Sequence, residues 1–287
     1  MLIEPATLCR FVSSRHPDVR VGLVDGGSVR DLTAAGVHRL DELLERADSA
    51  AQLVEARRTS LPELPLDQIR LLTPVESQEI WAAGVTYLRS KQARMEESDF
   101  SARAYDHVYE AARPEIFFKA VPEKVVSPGE AVGIRRDARW NVPEPELTLV
   151  INARGEIVGF CAGNDVSSRD IEGANPLYLP QAKIYDGACA LGPGISLCEP
   201  DTLGNLSIEL TVTRDGHAIF ASETRTSRIK RPLQELVDYL RKELDFSGGV
   251  FLMTGTGIVP PDDFSLAGGD HVRITIGDLT LENEVAS

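Results

Sequence analysis

The stretch VPEPELTLVINARGEIVGFCAGNDVSSRD, residues 142–170, constrains this chain more than any other. Two β-rich runs, Leu147–Asn152 and Ile157–Gly163, flank Ala153-Arg154-Gly155-Glu156, which predicts a hairpin closed by a glycine-bearing turn. If the turn is centred between Arg154 and Gly155, then 152 opposes 157, 148 opposes 161, and Glu144 opposes Asp165. Glu146, two positions along, points to the same side, so three carboxylates converge on one sheet face.

Like charges gathered in this way need a neutralising cation or a shifted protonation state. A hard divalent ion is the simplest answer, and Mg²⁺ suits carboxylate oxygen while leaving positions for water and substrate; Mn²⁺ or Ca²⁺ could stand in its place. The same face carries Gly159, Cys161 and Gly163, which are expected to leave room above the strand. The other face, with Leu147, Leu149, Ile151, Val158, Phe160 and Ala162, is expected to be core. A solvated edge strand is the plain alternative for a lone Glu-x-Glu, and the register with Asp165 argues against it.

The formal net charge of −14 and the pI near 4.9 make nucleic acid and anionic membranes poor partners. No apolar run is long enough to span a bilayer, and the start, MLIEPATLCRF, lacks signal-peptide character, so a cytoplasmic location is expected. Cys9, Cys161, Cys189 and Cys198 have no C-x-x-C spacing and read as reduced thiols. The chain divides into a small N-terminal domain and linker, 1–73, and a metal-dependent catalytic domain, 74–287. In the first, strands near Leu8–Val12, Arg20–Val24 and Ser28–Leu32 precede a helical pattern over Leu40–Arg57. In the second, the long polar segment Leu88–Arg113, which includes His107, reads as a surface helix or a lid over the site. Lys183 stands out among apolar neighbours, and Lys119 ends the apolar strand EIFFKA. Thr254-Gly255-Thr256-Gly257 lacks the G-K-[ST] of a phosphate loop and is expected to present backbone N–H groups and the Thr256 hydroxyl to an anionic ligand.

EIWAAGVTY at 79–87, F-F-K at 117–119, E-P-E-L at 144–147, NDVSSRD at 164–170, LPQAKIYDGACALGP at 179–193, TGTG at 254–257, GGD at 268–270 and LEN at 281–283 occur in an order that resembles the fumarylacetoacetate hydrolase family. The resemblance implies a mixed α+β, mostly β fold, with a β-roll or β-sandwich catalytic domain. It implies Glu144, Glu146 and Asp165 as metal ligands and Lys183, Arg169 and Lys119 as catalytic groups. Thr86, Tyr87, Ser90, Gln181 and Thr256 become the substrate-binding candidates. Hydrolases of the family carry a histidine where this chain has Ser90, and serine cannot act as a general base near neutral pH. The runs WNVPEPEL and RDIEGANPLYLPQAKIY are similar to the branch that dehydrates 2-keto-3-deoxy sugar acids.

The activity implied is that of a Mg²⁺-dependent lyase. It would convert a 2-keto-3-deoxy sugar acid, such as 2-keto-3-deoxy-D-arabinonate, to 2,5-dioxopentanoate through a metal-stabilised enolate. Lys183 is the candidate for proton transfer, while Arg169 and Lys119 would offset substrate charge or brace the carboxylates. The alternatives are a C–C hydrolase or decarboxylase of acylpyruvate- or oxaloacetate-type 2-oxo acids, and a non-catalytic metal-binding scaffold. The partner is a small 2-oxo acid, and a homodimer or homotetramer is expected.

Overall fold

The computed structural model describes residues 6–45, 58, 60–89 and 109–287. Its strands are β1 (Thr7–Ser13), β2 (Arg20–Asp25), β3 (Ser28–Asp31), β4 (Glu63–Pro65), β5 (Ile69–Leu72), β6 (Ile80–Gly84), β7 (Glu115–Ala120), β8 (Val125–Val126) and β9 (Asn141–Val142). They continue with β10 (Pro145–Ile151), β11 (Ile157–Asp165), β12 (Ser167–Ser168), β13 (Cys189–Leu197), β14 (Ser207–Arg214), β15 (His217–Arg225), β16 (Val250–Met253), β17 (His271–Ile276) and β18 (Leu279–Glu284). One large mixed sheet runs β4-β3-β2-β1-β13-β11-β10-β16-β6-β7, with β5 paired to β1 and β8 to β13; a second runs β15-β14-β17-β18. The mostly β fold expected from the sequence is the fold observed.

The two sheets share one core. Leu147, Leu149, Phe160 and Ala162 on the hairpin of β10 and β11 belong to the same buried cluster as Leu210, Val212, Ile274 and Leu281 of the second sheet. Every residue of β10 and β11 is buried, so the face that carries the acids is covered as well. The expectation that its small residues leave room for a ligand is therefore corrected. A Cβ on Gly163 would lie 2.4 Å from Thr148 Oγ1, and one on Gly159 would lie 2.5 Å from the Ser196 carbonyl oxygen. Those positions are small because neighbouring strands press against them.

The hairpin register agrees with the expected one from Pro145↔Asn164 to Val150↔Gly159, then slips so that Ile151 faces Ile157. Asn152 sits at the difference. Its side-chain oxygen accepts the N–H groups of Arg154 (3.1 Å) and Glu156 (3.0 Å), its own N–H donates to the Glu156 carbonyl at 3.0 Å, and Gly155 takes φ +86° to close the tightened turn. Val158 is the extra residue, bulged out of β11, that restores the register beyond the turn. Had the pairing at the turn continued unshifted, Glu144 would face Asn164, and Asp165 would point to the other side.

The N-terminal strands lie where the sequence put them. Of the helical pattern over 40–57, Asp41–Leu44 is helical and 46–57 lies outside the described residues. The boundary expected at residue 73 separates no sheet, because β1 pairs with β13 through Thr7↔Ser196 and Leu8↔Ile195. Leu8, Val21 and Leu32 join the common core. A chain beginning at residue 74 should therefore expose the β13 edge and aggregate on size-exclusion chromatography; a monodisperse truncated chain with a cooperative melt would show the N-terminal strands to be dispensable.

Candidate metal and active site

Glu144, just before β10, Glu146 within it, and Asp165 at the end of β11 bring three carboxylate oxygens within 4.8 Å of one another, all buried. The Asp165 N–H donates to the Glu144 carbonyl at 3.0 Å, which locks the two backbones together where the acids meet.

The chain supplies its own counter-charges. Lys183, the last residue of the helix Leu179–Lys183, donates from Nζ to Glu144 Oε2 (2.8 Å), Asp165 Oδ2 (2.8 Å) and Ser167 Oγ (2.6 Å). Arg169, the first residue of the helix Arg169–Ala174, donates from Nη2 to Glu144 Oε1 at 2.9 Å. Lys119 pairs with Asp165 Oδ1, and its Nζ also donates to the Lys183 carbonyl. All three cations are buried, with Lys119 and Arg169 only 1% exposed. Three cationic side chains of the chain itself thus face the three acids, so the expected neutralising charge is supplied in part without a metal ion. The geometry makes Lys119 and Arg169 braces for the carboxylates.

Glu146 is served differently. Its Oε2 accepts the Gly255 N–H at 2.7 Å. Burial, and then the negative charges of Asp165 and Glu144, push its carboxyl well above the usual range, against which Lys183 and the Gly255 N–H act. The anion that the TGTG loop meets is therefore the chain's own carboxylate.

A small cavity opens on the triad, and Lys183, Thr256 and Gly255 line it. Thr256 shares its hydroxyl with the Ile258 backbone at 3.2 Å. Thr86 is buried and donates its hydroxyl to the Thr254 carbonyl at 2.6 Å. Tyr87 is buried beside them, its hydroxyl pushed up by burial and by the charge of Glu146. Gln181 is exposed and stays outside the cavity; it lies two residues before Lys183, and on a helix that spacing turns the two side chains to different faces. Ser90, His107 and residues 90–108 of the expected lid lie outside the described residues.

Three lining residues were not anticipated. Glu115 and Phe117 share with Lys119 one face of β7, an alternation that EIFFKA already carried. Glu172 is buried one helical turn after Arg169 and also faces the cavity. The Lys183 ammonium lies 5.9 Å from the Phe117 ring centroid.

A two-sheet roll whose interior holds a carboxylate triad braced by lysine and arginine, and open to a small cavity, defines a class of metal-dependent enzyme site. The chain belongs to the fumarylacetoacetate (FAA) hydrolase C-terminal family, whose model matches residues 79–286. It is 43% identical over 273 residues to a probable 2-keto-3-deoxyxylonate dehydratase of Haloferax volcanii, covering 90% of this chain and 94% of that one. It is 40% identical over 225 residues to the 2-dehydro-3-deoxy-D-arabinonate dehydratase of Saccharolobus solfataricus, covering 76% and 75%. A solved structure of 2-keto-3-deoxy-D-arabinonate dehydratase with magnesium and 2,5-dioxopentanoate superposes with a TM-score of 0.82 at 32% identity over 98% of both chains.

Glu146→Gln keeps an acceptor for the Gly255 N–H and removes a penalised charge, so in metal-free buffer at pH 7 the variant should be at least as stable as the parent. Mn²⁺ at a hundredfold excess over Kd should stabilise the parent by about 2.7 kcal/mol and the variant by essentially nothing. Equal stabilisation of both in thermal melts would remove Glu146 from the ligand set.

Proposed function

We propose that this chain is a magnesium-dependent dehydratase of a 2-keto-3-deoxy sugar acid, forming 2,5-dioxopentanoate from a five-carbon substrate such as 2-keto-3-deoxy-D-arabinonate. The observation that carries the reading is Lys183, a buried amine that touches two carboxylates of the triad at the floor of a cavity walled by further acids. The dehydratase names of the relatives at 40–43% identity support it.

The donor set fits the ion: three carboxylates offer hard oxygens, and each oxygen that takes an N–H retains a lone pair for a cation. Glu144, Glu146 and Asp165 would hold it, and once bound it would polarise the 2-oxo group and make the C3 hydrogen more acidic. Lys183 in its neutral form accepts that C3 proton. The C4 hydroxyl leaves as water after taking a proton from a carboxylic acid, and Glu115, half-exposed on β7, is the group we assign to this. The enone that results loses a proton from C5 and gains one at C3, which gives a C4–C5 enol; loss of the enol hydroxyl proton and protonation of C4 then yield 2,5-dioxopentanoate, and Lys183 can carry the first two transfers. Phe117 limits water around the amine.

Ser90 stands where hydrolases of the family carry a histidine, which favours elimination over water-dependent C–C cleavage. No helix among the described residues is long and apolar enough to cross a membrane. We place the enzyme in the cytoplasm, with four unpaired thiols in support, and assign a homodimer or homotetramer, with the exposed Leu177 and Tyr178 as contact candidates.

Purified protein with Mg²⁺ should dehydrate 2-keto-3-deoxypentonates with kcat/KM about 100- to 10,000-fold above its acylpyruvate hydrolysis, the range that general-base assistance commands. Lys183→Ala should lose most of the dehydration. Comparable efficiency on the two substrate classes would refute the assignment.

A further inference from the structure

The parallel strands β6 and β16 pair through Phe251↔Ile80 and Met253↔Ala82, so both chains leave the sheet on the same side. Just past β6, Val85 takes φ +52°, an unfavourable conformation for a β-branched residue. The Thr86 carbonyl and Tyr87 are held by Lys230 and Ile229, the first through a Lys230 N–H bond of 3.0 Å. Local strain of this kind persists only where the surroundings fix it, and it clusters at functional sites. Its result here is that the Thr86 hydroxyl reaches the Thr254 carbonyl at 2.6 Å.

Past β16, Thr254 is clamped a second time: its N–H and its hydroxyl both donate to the Leu147 carbonyl, at 3.0 and 2.8 Å. The next residue, Gly255, takes φ +86° and sends its N–H to Glu146 Oε2 at 2.7 Å. A Cβ there would lie 2.2 Å from Thr86 Oγ1 and 3.0 Å from the Ala83 carbonyl oxygen. The Thr86 side chain and the bare Gly255 backbone fit one another and fix one peptide.

We infer that Thr86 is a positioning residue for the metal centre: through the Thr254 carbonyl it orients the Gly255 peptide, whose N–H fixes Glu146. This replaces the expectation that Thr86 binds substrate, and it rests on the reading of the triad as a metal site. A hydroxyl already spent on a buried carbonyl is a poor substrate contact. The same hydroxyl is well placed to set the angle at which Glu146 presents its carboxylate.

Mn²⁺ binding to the full chain, measured by calorimetry and by electron paramagnetic resonance without substrate, tests the inference. Outer-shell partners of metal ligands typically command about 10- to 100-fold in affinity. Thr86→Val should therefore bind Mn²⁺ at least about tenfold more weakly than the parent, with Thr86→Ser restored to within a factor of about three. Thr86→Ala is run alongside, because it removes the donor without any risk of overpacking. Thermal melts confirm that each variant is folded at the temperature of measurement. Mn²⁺ affinity within twofold of the parent in both Val and Ala variants overturns the inference, and so does a raised KM for substrate at unchanged Mn²⁺ affinity. A parent chain that binds no Mn²⁺ overturns the metal reading itself, and this inference with it.

Discussion

Glu144, Glu146 and Asp165 are taken out of water together with Lys119, Arg169 and Lys183, and the rest of the fold is bound by that fact. Each buried ion costs several kcal/mol in lost solvation, offset only when opposite charges meet at hydrogen-bond distance. The six groups come from the β10–β11 hairpin, β7 and two short helices, so all of these must be in place at once. Lys119 shows how demanding this is. In hydrogen-bonding order β7 lies four strands from β11, a separation of about 19 Å on a flat sheet at 4.8 Å per strand. Lys119 nevertheless touches Asp165. The sheet must curl into a roll for the pair to form, and the pair in turn holds the roll closed.

The legible part of this site was local. A period of two residues per pleat placed the three acids on one face of the hairpin, and the register held at the acid end because Val158 is bulged out next to the tightened turn. The same rule, applied to EIFFKA, puts Glu115 and Phe117 beside Lys119. Glu172 follows Arg169 by a helical turn and was legible in the same way. The ion pairing was not legible, since no spacing in sequence relates β7 to the hairpin. Gln181 was assigned to the site by its motif, but the helix that carries Lys183 inward carries Gln181 outward. The covering of the acid face was equally out of reach, because it comes from strands remote in sequence whose approach is recorded only as Gly159 and Gly163.

The internal ion pairing also bears on what a metal ion contributes. In small metal-built domains the ligands repel one another until the ion arrives, and metal binding is then folding free energy. Here Glu144 and Asp165 already meet cations of the chain itself, so the scaffold can form first and take up an ion afterwards. The carboxylates are not equally satisfied, however. Glu144 and Asp165 each have two cationic partners, while the Glu146 carboxylate accepts the Gly255 N–H as its one hydrogen bond among the described residues and carries the burden of burial beside two other acids. A divalent ion entering the triad would relieve the electrostatic cost chiefly at Glu146. The same charge would weaken the hold of Glu144 and Asp165 on the Lys183 ammonium, since a carboxylate that shares its density with a cation attracts a second one less. A lysine that braces the site in one state can then move a proton in another, and this is why one buried residue can serve both stability and chemistry.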